Sequence, residues 1–320
     1  MEKKRKYDID PVRHTDAVSV CAVIVTYRPV KKKLKSVIDA VLPQVDQLLV
    51  IDNGSGSAVD HGLPFDNGRL EFTALPENMG IAAAQNRGIW RAKVRGFSHI
   101  LFLDQDSVPH RTMVSRLMRA LSELEQAGEK PAAVGPVPVD ARTGQALPFV
   151  TFSLFGVRKR YPRKAGGERR YLKTDFLIAS GMLARVAVFE QAGMPDASFF
   201  IDNVDMEWCF RVRHKGFSLY GIGDAELSHC LGDQVFRVWL GKFFTLYCHS
   251  PLRQYYIMRN RIRLCLRYYS PPGWRIQDIF RLIFKLAFLV MFVTDRAGYI
   301  RMIGRGIRDG VRGKSGKYSS

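Results

Sequence analysis

The chain has 320 residues and carries 49 Lys plus Arg against 30 Asp plus Glu, a formal net charge of +19. That length buries a sizeable core, so a disordered chain is excluded, and the charge favours polyanions: nucleic acid, anionic lipid head groups or diphosphate-bearing substrates. The five cysteines, at 21, 209, 230, 248 and 265, form no C-x-x-C pair, which fits reduced thiols of a cytoplasmic protein.

Residues 1–17 form a polar, basic tail without the apolar core of a secretion signal. Val18 to Tyr27 reads as a buried strand ended by Arg28-Pro29, and Lys31 to Leu42 as an amphipathic helix with Leu34, Val37, Ile38, Val41 and Leu42 on one face. A second buried strand, Gln47 to Asp52, runs into the turn-rich Asn53-Gly54-Ser55-Gly56-Ser57. Arg69 to Leu75 reads as a third strand. Glu77-Asn78-Met79-Gly80 then opens a helix over Ile81 to Val94.

The next segment organises the chain. Ile100-Leu101-Phe102-Leu103 is an unbroken apolar run, the mark of a strand buried on both faces, and it delivers Asp104 and Asp106 at its C-terminal end. In open α/β sheets ligands bind outside the carboxyl ends of the strands. Two carboxylates one residue apart there can share a hard divalent cation and leave its other positions for phosphate oxygens. The alternative is that they only cap the helix that follows, over Thr112 to Gln126.

Ala132 to Val139 reads as a further strand, Arg158 to Arg170 as a basic loop near the same rim, and Phe176 to Leu183 as a strand whose Gly181 lets backbone approach a ligand. Phe199 to Asp205 leads into a helix closed by Gly216, and Phe217 to His229 returns as a strand. Beyond Gly232 the composition turns to aromatic and basic helices, Pro251 to Tyr269 and Trp274 to Thr294, divided by Pro271-Pro272-Gly273. The apolar run Leu286 to Thr294 is too short to span a bilayer. Strand-helix alternation predicts an α/β fold with a mostly parallel twisted sheet, with Thr26, Asp52 and Asp104 on one rim. No internal repeat is present.

Val23 to Tyr27, Val50-Ile51-Asp52-Asn53, Asn78-Met79-Gly80 with Asn86, Leu103-Asp104-Gln105-Asp106, and Asp205-Met206-Glu207-Trp208 with Arg211 together resemble glycosyltransferase family 2. More narrowly, Phe200-Ile201-Asp202, His229, and Pro251 to Tyr256 with Arg259-Asn260 are similar to its bacterial dTDP-rhamnosyltransferases of O-antigen and rhamnolipid assembly. The resemblance runs from about Val18 to Gly310. It implies the GT-A fold over 18–232, a helical region at 233–312 associated with acceptor and membrane surface, a tail at 313–320, and inversion at the anomeric carbon in one displacement.

The resemblance also assigns roles. Thr26, Tyr27, Arg28, Asp52, Asn53, Asn78, Gly80 and Asn86 fall where the family holds the nucleotide sugar, Asp104 and Asp106 at its metal motif, and His229 where related enzymes complete the metal site. Mg²⁺ or Mn²⁺ is the implied cofactor. Asp205 matches the general base, with Asp202 in reserve because Val204 stands where many members carry a second acid. Other readings of these residues stay open: Asp205 as an N-cap or a partner of Arg211, His229 as a structural histidine, and Gly181, Arg253 and Arg259 as phosphate or acceptor contacts or as plain structure.

The expected reaction is transfer of L-rhamnose from dTDP-L-rhamnose to a lipid-linked glycan or glycolipid, with UDP-galactofuranose as the rival donor. Arg281 and Lys285 mark a narrow polar stripe on an otherwise apolar helix, so peripheral attachment to an anionic bilayer, on the inner face of the bacterial cytoplasmic membrane, is expected. A nucleic-acid binder is the rival of another class, disfavoured because no nucleic-acid module is present. A homo-oligomer is left open by the sequence.

Overall fold

The structure, a computed structural model, describes residues 18–56, 68–154, 156–161, 170–229, 234–239, 243–292 and 296–319. The basic tail 1–17, residues 162–169 of the basic loop, Cys230 and Gly232 lie outside the described residues.

β1 (Val20–Thr26), α1 (Lys31–Val41), β2 (Gln47–Asp52), β3 (Leu70–Ala74), α2 (Ile81–Val94) and β4 (His99–Asp104) follow in the expected order. Next come β5 (Val108–Pro109), α3 (Met113–Gln126), β6 (Pro131–Asp140), β7 (Phe149–Ser153), β8 (Gly156–Arg160), β9 (Tyr171–Thr174), β10 (Leu183–Arg185), α4 (Val186–Ala192), α5 (Val204–His214) and β11 (Ser218–His229). β12 (Gln234–Trp239), β13 (Phe243–Cys248), α6 (Pro251–Cys265), α7 (Pro272–Phe292) and α8 (Arg296–Val311) complete the chain.

The central sheet has the order β3-β2-β1-β4-β10-β6-β11-β5, with β9 added on β11. β1 runs parallel to β2 and β4, β2 to β3, and β6 to β11, whereas β10 is antiparallel to both neighbours. The expected mostly parallel α/β sheet is present. Its apolar strands serve two layers because alternate side chains leave opposite faces. Ala22, Ile24, Leu101 and Leu103 pack with Leu34, Ile38, Leu117 and Leu121 of α1 and α3. Cys21, Val23, Ile100 and Phe102 pack with Ala84 and Ile89 of α2, Phe189 of α4 and Trp208 of α5.

A third cluster, Ala82, Phe199, Val204, Phe210, Leu264 and Trp274, joins the sheet unit to α6 and α7. α8 lies close along α6 because Gly306 and Gly310 present no side chain there. A Cβ on Gly306 would sit 2.6 Å from the Tyr255 carbonyl, and one on Gly310 2.8 Å from that of Arg259.

Three expectations needed correction. Phe176–Leu183 is not a strand: only Leu183–Arg185 enters the sheet, antiparallel, and the residues before it turn at Gly181 (φ 84°). The basic loop from Arg158 begins as β8 of a hairpin with β7. The C-terminal region contains the β12–β13 hairpin and a third helix, α8, besides the two expected.

Candidate functional site

A cavity of about 640 Å³ opens at the carboxyl ends of the strands. Asp104, Ser180, Asp202, Asp205, His229 and Arg253 line its polar part. Pro136, Phe149, Phe152, Val157, Phe176 and Leu177 line it as well, with Lys159 on β8 and Arg281 on α7. Strands β4 and β11, the turn before β10, the start of α5, and α6 thus contribute side chains to one space.

Asp104 is the last residue of β4, and its N–H donates to Ser180 Oγ at 3.0 Å. Burial raises its carboxyl above the ordinary range; His229 and Arg253 pull it down, and Asp106 pushes it further up. Asp106 itself stands in the following turn, close enough for its charge to act on Asp104 but not lining the cavity. His229 Nδ1 meets the buried Ser107 Oγ at 2.6 Å, which fixes the ring and leaves Nε2 as its other nitrogen.

Two carboxylates and an imidazole in electrostatic contact, with burial and like charge raising the proton affinity of one acid, are a donor set that a divalent cation relieves. Among the described residues no three His, Cys, Asp or Glu side chains form a complete ligand group. A cation here would therefore take its remaining ligands from water or substrate oxygens, as Mg²⁺ commonly does.

Asp205 lies in the first turn of α5. Its carboxylate accepts N–H bonds from Met206 at 2.8 Å and from Ala179, and both lower its proton affinity. Burial outweighs them, with smaller pushes from Asp104 and Asp202, and moves the group from 3.8 up to about 6. Arg211 pairs with Glu207 at 2.7 Å, so Asp205 is not an ion-pair partner of that arginine. Asp202 is engaged: Arg253 Nε reaches its Oδ2 at 3.2 Å and Nη2 its Oδ1 at 3.2 Å.

The nucleotide candidates gather on the β1–β2 rim, tied mostly to one another. Thr26 Oγ1 donates to Asp52 Oδ1 at 3.0 Å, and Asp52 Oδ2 accepts the Ser55 N–H at 2.8 Å. Asn53 Nδ2 donates to Asn78 Oδ1 at 3.1 Å, Asn53 Oδ1 accepts the Met79 N–H, and Asn78 Oδ1 also accepts the Gly80 N–H. Tyr27 presents a partly exposed ring with the Arg28 guanidinium over it at 5.3 Å. Arg28 has φ 45°, and its N–H donates to Ser55 Oγ.

Asn86, Gly80, Gly181 and Arg259, like the rim residues and Asp106, do not line the cavity. Asn86 Nδ2 donates to the Pro195 carbonyl at 2.9 Å, and the residue lines a separate groove beside Trp90. Gly80 (φ 88°) admits the close approach of Phe200, whose carbonyl would lie 2.5 Å from a Cβ there. Gly181 makes a turn whose missing side chain admits the Pro136 ring, 2.5 Å from where a Cβ would lie. Arg259 is fully buried and donates to Asn260 Oδ1, Gly316 O and Phe199 O.

Sequence reasoning missed Ser180 and Ser107, which fix Asp104 and His229. It also missed Gln105, whose Oε1 accepts the Tyr27 N–H at 2.8 Å and ties the acidic turn to β1. The position of Gln105 between the two acids was the one available signal. Ser180 and Ser107 carried none.

Residues 21–193 match the family described as Glycosyl transferase family 2. The chain is 29% identical over 301 residues to the dTDP-rhamnosyl transferase RfbF of Shigella flexneri, covering 93% of this chain and 97% of that protein. It is 21% identical over 309 residues to the low-salt glycan biosynthesis hexosyltransferase Agl10 of Haloferax volcanii, covering 96% and 95%. Among solved structures, S. aureus TarS 1-349 in complex with UDP-GlcNAc superposes with a TM-score of 0.55 at 13% identity, over 92% of this chain and 82% of that one. GalNAc-T7 with UDP, GalNAc and Mn²⁺ does so at 0.56 and 12%, over 87% of this chain and 57% of that one. At such identities the two structures speak to the fold alone.

Proposed function

Because the chain belongs to glycosyl transferase family 2, we propose that this cavity transfers L-rhamnose from dTDP-L-rhamnose to a hydroxyl of a lipid-linked glycan or glycolipid, with inversion at the anomeric carbon. The observation that carries the reading is Asp205: a carboxylate at the start of a helix, pushed up to about 6, in one cavity with Asp104 and His229. A general base works best when its proton affinity lies near the operating pH, and such assistance is typically worth ~10²–10⁴-fold. The similarity to RfbF across almost its whole length supports the rhamnosyl donor.

In the reaction, Asp205 takes the proton of the acceptor hydroxyl as its oxygen bonds to the anomeric carbon. The bond from that carbon to the β-phosphate oxygen breaks, and dTDP leaves with the electron pair. Asp202, bound through both oxygens to Arg253, is the poorer base. Asp104 and His229, with Asp106 beside them, would give a divalent cation part of its ligands and the diphosphate or water the rest, and the cation when bound would neutralise charge on the diphosphate. Tyr27 and Arg28 offer the exposed ring and cation of the nucleotide rim.

The test is release of dTDP when the purified protein meets dTDP-L-rhamnose, extracted lipid, and Mg²⁺ or Mn²⁺. Thermal shifts with a panel of nucleotide sugars separate the donors. A larger shift with UDP-galactofuranose than with dTDP-L-rhamnose removes the rhamnosyl assignment and leaves the reaction class.

A lipid-borne acceptor, and with it a peripheral membrane site, is supported by α7. Ile276, Ile279, Phe280, Ile283 and Phe284 recur at i, i+3, i+4, i+7 and i+8 and all face solvent, while Asp278 on the opposite side is buried against Arg261. Arg281, on the same helix, lines the cavity together with Lys159. Neighbouring β8 exposes Arg158, Lys159 and Arg160. An apolar helical stripe beside a basic strand suits the surface of an anionic bilayer. Among the described residues no helix is long and apolar enough to cross a membrane. Flotation with phosphatidylcholine vesicles is expected only when phosphatidylglycerol is present, and is expected to fail for Phe280→Glu/Phe284→Glu. Equal flotation with and without the anionic lipid removes the membrane assignment.

A further inference from the structure

The backbone leading into α5 is unusual. Among the described residues four non-glycines have positive φ, and three of them are Phe200 (64°), Asp202 (64°) and Asn203 (63°). L side chains adopt this region seldom, and a run of it persists only where the surroundings impose it. The run carries Asp202 and sets where α5, and therefore Asp205, begins.

What imposes it is one side chain of α6. Asn260 Nδ2 reaches the carbonyls of Phe199 at 2.8 Å, Ile201 at 2.7 Å and Asp202 at 2.9 Å. The amide's orientation is set by Arg259, whose Nε donates to Asn260 Oδ1 at 3.0 Å and whose Nη2 donates to the Phe199 carbonyl at 2.9 Å. Both residues are fully buried. The C-terminal segment closes the set: Arg259 Nη1 donates to the Gly316 carbonyl at 2.6 Å, and the Gly316 N–H donates to the Ser198 carbonyl at 2.8 Å. Tyr318 N–H donates to Tyr256 Oη at 2.7 Å, and Tyr256 in turn stacks on Phe200 at 5.1 Å.

We propose that Asn260, oriented by Arg259 and secured by the C-terminal strap 316–318, is a positioning residue that holds the strained 200–203 turn and so aims Asp205 into the cavity. Residues that read as a phosphate contact and a loose tail are on this account one clamp behind the base. The proposal rests on the reading of Asp205 as that base, and its test has an arm that does not.

The experiment compares wild type with Asn260→Ala and with a chain lacking residues 315–320, by amide hydrogen exchange, donor binding and steady-state kinetics. Asn260→Ala is expected to lose protection at 199–206 with the sheet strands unchanged. Its kcat is expected to fall about 100-fold while donor affinity stays within roughly threefold, the scale of a misaimed group rather than a lost binding contact. The truncated chain is expected to move the same way by a smaller factor, and it decides the matter if Asn260→Ala does not fold. Wild-type protection at 199–206 in the variant that folds overturns the clamp. So does deprotection of the turn with kcat unchanged, or a loss confined to donor affinity. If wild type turns over no nucleotide sugar, the proposed function has failed, and the exchange arm still judges the clamp.

Discussion

Replacing Asp205 by Asn is expected to make the protein more stable and nearly inactive. In the folded state burial lifts the carboxyl from 3.8 to about 6, so the native protein holds this proton more tightly than the unfolded chain does. The group therefore costs native stability as pH rises from 3.8 through 6, and the full cost is present above that window. At 1.36 kcal/mol per pH unit the gap amounts to about 3 kcal/mol. Asn removes the charge and keeps an oxygen for the N–H groups of Met206 and Ala179. Its NH₂ must find a new partner at a half-buried position, which returns roughly 1–2 kcal/mol. A net gain of about 1–2 kcal/mol at pH 8 corresponds to a rise of a few degrees in Tm; below pH 4, where the gap of about 3 kcal/mol closes, the unpartnered NH₂ leaves a net loss of about 1–2 kcal/mol. Release of dTDP to acceptor is expected to drop by ~10²–10⁴-fold, with donor binding retained. Thermal unfolding at pH 4 and pH 8, alongside dTDP release, measures both halves. A variant that is less stable than wild type by the same amount at both pH values, or that keeps its activity within about threefold, refutes the assignment of a desolvated base.

Asp106→Ala is expected to weaken donor binding in the presence of Mg²⁺ or Mn²⁺ and to leave binding in chelator unchanged; calorimetric titration with and without metal tests this. Glu207→Gln removes the charge that meets Arg211 at 2.7 Å and accepts from Tyr269 deep in the protein, and about 2–4 kcal/mol of stability is expected to go with it, read by urea unfolding at pH 7. Gly310→Val sets a branched side chain 2.8 Å from the Arg259 carbonyl, so α8 must shift off α6 at a cost of ~1–3 kcal/mol, visible as lost exchange protection in both helices. In wild type the acid limb of the rate profile is expected near pH 6, where Asp205 gains its proton; a limb below pH 4.5 points to a different base.

The sheet was legible because its strands are apolar on both faces, and that pattern has few other solutions. Cys21 and Val23 face α2 while Ala22 and Ile24 face α1 and α3, so every position in the run is constrained. Phe176-Leu177-Ile178-Ala179 carries the same composition and is not a strand. Its backbone is required elsewhere: the Ala179 N–H points to Asp205, and Ser180 Oγ receives the N–H of Asp104. Local propensity gave way to the site. For α7 the apolar positions predicted a face that seeks cover, by the protein or by a bilayer, and five of them face solvent. Periodicity reports that a helix has an apolar face and not what covers it.

The acids at 104, 106 and 205 were legible from their places at strand and helix ends, whereas the residues that hold them were not. Arg259 shows why. As a sequence symbol it is a basic residue on a helix, equally suited to a phosphate or to water. Its actual partners are carbonyls of residues 199 and 316, some sixty residues away on either side. Nothing local records that a turn there leaves carbonyls without partners, because the turn is strained and its strain depends on the same arginine and asparagine. The sites where a sequence speaks least about its structure are those where backbone groups, which every residue possesses alike, are the ligands of a side chain. By that reasoning the β1–β2 rim, where Asn53 and Asn78 bond backbone N–H groups as well as each other, is held by the same device. Its asparagines shape that rim first, and any contact they make to a ligand is added to that task.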